Sequence, residues 1–226
     1  MTSAPFTQCV LFDLDGTLAD TAPDLAAALN RVLVEDGRVA LPLLVTRPVT
    51  SQGVRGLLRI GLGLEPEHPS YQSHAQRVLA HYTAAICEHT RLFDGMPQVL
   101  DALDTRGIKW GIVTNKHARF TAPLVSALGL AERAACVISG DTAAHPKPHP
   151  APLLLACERA GVPAHLTTYV GDDIRDIQAG RAAGMRTIAA GWGYLGEGEP
   201  IEHWGADAII NTPNGLLGAL SYEHVQ

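Results

Sequence analysis

Two aspartates, Asp13 and Asp15, follow directly on an apolar run in Val10-Leu11-Phe12-Asp13-Leu14-Asp15-Gly16-Thr17. In extended chain, residues two apart face the same side, so both carboxylates project together from the end of one strand. Neighbouring carboxylates repel, and a fold that keeps them together does so for a cation, a shared proton or both. One can then be an ionised nucleophile while the other works as acid and base. An ordinary turn or helix cap uses the same residue types, and the pair alone does not decide between these uses. An EF-hand calcium loop is excluded by spacing: it needs glycine at its sixth position, whereas Gly16 is fourth and an apolar strand precedes it.

Three later groups extend the pattern. Thr114-Asn115 follows the apolar run Lys109–Val113, where a hydroxyl and free amides at a helix start suit phosphate, or where Thr114 simply caps the helix containing Phe120 to Leu128. Lys147 lies in His145-Pro146-Lys147-Pro148-His149-Pro150, whose prolines bar a regular helix. His145 and His149 are spaced as zinc ligands on a helix would be, but the prolines spoil that geometry and no metal is assigned to them. Asp172, Asp173 and Asp176 follow the apolar Thr168–Val170; the last two can also cap the helix that runs to Ala183.

These residues need a scaffold that brings distant segments together. Short, continuously apolar runs recur at Cys9–Phe12, Lys109–Val113, Cys136–Ile138, Thr168–Val170, Thr187–Ala190 and Ala208–Ile210, the pattern of strands covered on both faces. From Lys109 onward they alternate with helical stretches, which predicts an α/β class with a Rossmann-like parallel sheet. Between Thr17 and Arg91 the rhythm stops, and helices are expected over Pro23–Asp36, Gly53–Ile60 and Ser70–His89. Thr21 is the expected N-cap of the first, with Asp24 three residues on and Gly37 as its stop. The predicted organisation is therefore residues 1–17 as the first strand of a core, 18–91 as an all-helical insert and 92–226 as the rest of the core.

The chain has 226 residues, 46% hydrophobic and 18% charged, enough to bury a substantial core. A net charge of −6 with only 17 basic residues argues against general nucleic-acid binding. No long apolar run or signal-like start is visible, so a soluble cytoplasmic protein without membrane attachment is expected. Four scattered cysteines read as reduced thiols, and the chain is compatible with a monomer or a homodimer.

Taken in order, the motifs resemble those of the haloacid dehalogenase-like hydrolase superfamily, over essentially the whole chain. That resemblance implies Asp13 as nucleophile and metal ligand, and Asp15 as acid, base and donor of a backbone carbonyl to the metal. It places Thr114 and Asn115 at the phosphate, Lys147 beside nucleophile and phosphate, and Asp172 as direct Mg2+ ligand, with Asp173 and Asp176 further out. The insert matches the family's cap, whose loop Thr50–Gly56 offers Ser51, Gln52 and Arg55 to the rest of the substrate. Layout and cap resemble the phosphoglycolate phosphatases. The stretches Leu92–Pro97, Trp110–Lys116 and Asn211–Pro213 are similar to N-acetylmuramic acid 6-phosphate phosphatases, with His149 where related sequences carry Asp.

A phosphate dianion among Asp13, Asp15 and Asp172 would meet roughly 4 kcal/mol of repulsion per close unit pair at an effective dielectric near 20. One lysine cannot cancel that, so magnesium is the expected cofactor and a small phosphorylated metabolite the expected partner. The resemblance implies a magnesium-dependent phosphomonoesterase working through a phosphoaspartate. A phosphomutase of the β-phosphoglucomutase type would use the same motifs and return the phosphoryl group, and a non-catalytic phosphate-binding module would keep only the crevice. A dehalogenase would need neither Asp15 nor the Asp172 cluster.

Overall fold

The computed structural model describes residues 7–221. The first strand, β1 (Cys9–Phe12), is followed by a two-residue strand β2 (Ala19–Asp20) that pairs antiparallel with β3 (Arg91–Leu92). Between β2 and β3 lie four helices, α1 (Ala22–Glu35), α2 (Leu43–Thr46), α3 (Gly53–Leu62) and α4 (Tyr71–Ala84). Afterwards strands and helices alternate: α5 (Met96–Thr105), β4 (Lys109–Val113), α6 (Ala118–Ala127), β5 (Val137–Ile138), α7 (Ala151–Ala160), β6 (Thr167–Gly171), α8 (Ile174–Ala182), β7 (Arg186–Ala190), β8 (Ala208–Ile210) and α9 (Gly215–Ser221). All neighbours in the main sheet are parallel, in the order β5-β4-β1-β6-β7-β8. The predicted α/β class and six-stranded parallel sheet are observed.

Both sheet faces are buried, which is why the strands are apolar throughout rather than alternating. Val10 and Phe12 point into a cluster with Leu100, Leu103, Trp110 and Leu216, so α5 and α9 cover that face. Cys9 and Leu11 point the other way, toward Leu153, Ala156, Tyr169 and Ala179 from α7, β6 and α8. The cysteines are free thiols, and Cys9, Cys136 and Cys157 are buried as small apolar groups. No helix among the described residues is long and apolar enough to cross a membrane.

The helices between β2 and β3 close a separate core, where Leu29, Val32 and Leu33 of α1 meet Leu57 and Leu58 of α3 and Val78 and Tyr82 of α4. The ribbon β2–β3 carries the chain out to these helices and back. Gly37 adopts φ +71 after α1, the expected stop. Thr21 occupies the N-cap position, but its hydroxyl makes no cap bond and donates to Asp15 instead.

Asp24 likewise does not complete a capping box. It is buried, and its carboxylate accepts from the amides of His89 (2.9 and 3.2 Å) and Thr90 (2.9 Å) and from the Thr90 hydroxyl (2.7 Å). This contact anchors the returning chain just ahead of β3, and α4 ends at Ala84 rather than at His89, with residues 85–89 forming the turn between them. Asp24→Ala strands buried donors at the crossing between the two cores and is expected to cost about 3 kcal/mol of unfolding free energy. Thermal unfolding should report this as a fall in Tm of about 6–12 °C. A shift below about 2 °C would show that Asp24 does not fasten the crossing.

Candidate active site

The centre of the sheet dictates what meets what. β4 and β6 flank β1; the chain runs from β1 to β4 and β5 on one side and crosses back to β6 on the other, so the carboxyl ends of these strands frame a crevice at a switch point. Asp13 follows the last residue of β1, Thr114 the last of β4 and Asp172 the last of β6. The Asp13 amide still donates to Val170 O at 2.9 Å and the Thr114 amide to Ile138 O at 2.9 Å, so the sheet's own ladder fixes both positions.

Asp13, Asp172 and Asp176, all buried, bring carboxylate oxygens within 4.8 Å of one another. Gly16, at φ +85, permits this approach, since a β-carbon there would lie 2.2 Å from Asp172 Oδ2. Asp172 Oδ1 accepts from Thr17 Oγ1 at 2.8 Å, and its Oδ2 accepts from the Tyr194 amide at 2.9 Å and from Ser51 Oγ at 3.4 Å. Burial pushes the Asp172 carboxyl far above the usual carboxylate range, and the charges of Asp13 and Asp176 add to it. Asp13 is raised for the same reasons, burial first, with Lys147 opposing.

Lys147 reaches this group from the proline-stiffened loop. Its ammonium donates to Asp176 Oδ1 (2.6 Å), the Tyr169 hydroxyl (2.8 Å) and Val113 O (3.1 Å), which uses its three donors. It also lies 2.9 Å from Asp13 Oδ1, yet that oxygen is buried without a directed hydrogen bond. Burial works against the Lys147 charge, but Asp13 and Asp176 outweigh it and raise its pKa. The oxygen of Asp13 is thus charge-compensated, dehydrated and uncapped. These are the properties of a nucleophile, and equally of an atom waiting for a cation.

Of the expected residues, Thr114 lines the cavity and does not cap a helix: α6 begins at Ala118 after His117, and the Thr114 hydroxyl accepts from the Lys116 amide at 3.2 Å. Asn115 lines the same cavity, but its amide group clamps the Lys147 backbone, donating to O and accepting from N, each at 2.9 Å. Asp15 stands apart from the acidic group. Its Oδ1 accepts from Thr21 Oγ1 at 2.5 Å and Lys116 Nζ at 2.8 Å. Asp176 joins the acidic group directly and, with Asp173, also forms the capping box of α8, so the two uses open in the sequence coexist.

A cavity of about 400 Å3 separates the strand ends from the helices and is lined on the helical side by Thr50, Ser51, Gln52, Gly53 and Val54. Arg55 is not part of it. At about 100° per residue, α3 turns position 55 away from the wall formed by Gly53 and Val54, and Arg55 pairs with Glu65 at 3.3 Å on the surface. Arg175 takes the place at the interface: its guanidinium holds Asp173 (2.8 Å at Nε and at Nη2) and donates to Ser51 O at 2.9 Å, tying α8 to the helical side. Lys116 and Arg175 were not singled out by sequence reasoning. Each stands within three residues of a motif residue, Lys116 two after Thr114 and Arg175 three after Asp172, and that adjacency was the available signal.

Residues 10–190 match the family model of the haloacid dehalogenase-like hydrolases. A phosphoglycolate phosphatase of Xanthomonas campestris pv. campestris (strain 8004) is 44% identical over 93% of this chain and 95% of its own. An N-acetylmuramic acid 6-phosphate phosphatase of Pseudomonas aeruginosa is 38% identical over 94% of each. Among solved structures, that of a predicted phosphoglycolate phosphatase from Haemophilus somnus 129pt superposes with a TM-score of 0.82 at 25% identity, covering 94% of this chain and 97% of that one. The fold of CbbY from Rhodobacter sphaeroides, in complex with phosphate, is shared at a TM-score of 0.70 and 22% identity over 93% and 96% of the two chains. With its nucleophile-like aspartate at the end of β1, its buried lysine and its acidic group, the chain belongs to the haloacid dehalogenase-like hydrolases.

Proposed function

We propose that this protein is a magnesium-dependent phosphatase that hydrolyses a small, carboxylate-bearing phosphomonoester through a phosphoaspartate at Asp13. The observation that carries the reading is the buried, uncapped Asp13 oxygen beside Lys147 and within reach of Asp172. The phosphoglycolate and N-acetylmuramic acid 6-phosphate phosphatases among its relatives support the substrate class.

Asp13 and Asp172 would hold a hard cation, together with the backbone carbonyl that the family resemblance assigns to Asp15; Asp176 already accepts from Lys147, Tyr169 and the Asp173 amide. Bound there, magnesium supplies positive charge to the phosphoryl oxygens. Asp13 attacks phosphorus, the bond to the ester oxygen breaks, and Asp15 gives that oxygen its proton. Water then attacks the same phosphorus, Asp15 takes the water's proton, and the Asp13 carboxylate is released with phosphate. Lys116 and Thr21 aim Asp15 throughout. The Thr114 hydroxyl meets an oxygen on which charge collects, and Lys147 adds its positive charge from beside Asp13. Asn115 contributes by fixing the backbone of Lys147. Residues 18–91 act as the cap that covers this chemistry and excludes water, with Ser51 and Gln52 facing the substrate.

Asp13→Asn should fold, because it removes a charge from a repelling group, but should release phosphate at least about a thousandfold more slowly. Turnover near wild type would remove Asp13 as nucleophile. Chelation should abolish phosphate release and added magnesium restore it; full activity in metal-free buffer would contradict the metal requirement.

A further inference from the structure

The cavity is larger than the chemistry of phosphate transfer requires. Part of its lining is polar, formed by Asp13, Thr114 and Lys147, and another part is an apolar and aromatic wall of Leu25, Val54, Leu79, Tyr82 and Phe120. A volume of about 400 Å3 falls in the range of roughly 300–1,000 Å3 that receives whole organic ligands. A glycolate-sized group would leave that wall facing water.

Two groups on this wall are chemically unmatched. Tyr82 is 1% exposed and lines the cavity; its hydroxyl makes no directed hydrogen bond among the described residues, and the Lys116 ammonium stands 4.9 Å from the centroid of its ring. Arg119 differs from every other cation of the lining. Lys116 faces Asp15, Lys147 faces Asp13 and Asp176, Arg175 faces Asp173 and His117 faces Asp141, whereas Arg119 has no acidic partner among the described residues. Its guanidinium rests over the Phe120 ring, 4.6 Å from the centroid, so the planar fork is held at the cavity's rim. In a protein of net charge −6, a cation left without a carboxylate at the mouth of a binding cavity points to one supplied by the ligand.

Resting on the phosphatase reading above, we infer that Arg119, Tyr82 and the apolar wall form a specificity subsite for a phosphorylated sugar that carries a carboxylate. The carboxylate pairs with Arg119, a ring hydroxyl or amide meets the Tyr82 hydroxyl, and the sugar's apolar face packs on Phe120 and Leu79. Arg119 is a specificity residue and touches none of the reacting atoms.

The test compares kcat/KM for N-acetylmuramate 6-phosphate, N-acetylglucosamine 6-phosphate (the same sugar without the lactyl ether that carries the carboxylate) and phosphoglycolate, in wild type, Arg119→Gln and Arg119→Lys. Wild type should prefer the sugar acid over the carboxylate-free sugar. Arg119→Gln should lower the ratio of those two values roughly 10- to 100-fold, the worth of a charged hydrogen bond, mainly through KM. Arg119→Lys should restore part of it. A ratio unmoved by Arg119→Gln, or phosphoglycolate as the best substrate by kcat/KM, would overturn the subsite while leaving the phosphatase reading intact. Absence of phosphate release from all three esters would refute both.

Discussion

Three buried carboxylates and one ammonium share the space at the ends of β1 and β6. With all three carboxylates ionised, a single ammonium leaves the group net negative in a site that burial cuts off from water. Either protons or a cation must make up the difference, and burial of Asp13 and Asp172 in the absence of an ion drives both toward the protonated form. Much of the architecture around the site serves to hold this unfavourable group in place. The sheet fixes Asp13 and Asp172, the capping box of α8 fixes Asp176, and Asn115 fixes the backbone from which Lys147 reaches in.

Strain of this electrostatic kind is useful because it is local and directed. Lys147 spends its donors on Asp176, Tyr169 and Val113 and gives Asp13 its charge without a directed bond. The Asp13 oxygen therefore keeps free lone pairs while its charge is offset. On the opposite side Asp15 is held by Lys116 and Thr21, away from the acidic group, so two aspartates two residues apart acquire different surroundings and can take different roles. The helical side closes the circuit: Ser51 Oγ reaches Asp172, Arg175 holds the Ser51 carbonyl, and Arg59 pairs with Glu197 at 2.6 Å.

The parallel sheet and the strand-end aspartates were readable in the sequence, because both follow from short-range patterns: continuous apolar runs and acidic residues at their ends. What was not readable depends on contacts between distant segments. Asp24 fits a capping box by spacing, but Thr90, 66 residues away, claims its carboxylate. The segment Thr50–Gly56, expected as a loop, is instead a 3-10 turn (Arg47–Gln52) running into α3, and one residue of helical rotation beyond Val54 moves Arg55 off the cavity wall. Lys116 and Arg119 belong to the site through the way the chain enters α6, two and five residues beyond the motif residue Thr114, and spacing alone does not reveal which of several basic residues faces inward. The Gly196–Pro200 turn, which had no chemistry to offer from sequence, supplies Glu197 as the partner of Arg59.

The account depends on acidic groups from separate strand ends acting on one cation and one phosphoryl group. A crystal structure of the protein with magnesium and beryllium trifluoride, a mimic of the phosphorylated aspartate, addresses this directly. It should show beryllium bonded to a carboxylate oxygen of Asp13 and magnesium held by Asp13 and Asp172. An unmodified Asp13, or magnesium bound away from this group, would contradict it.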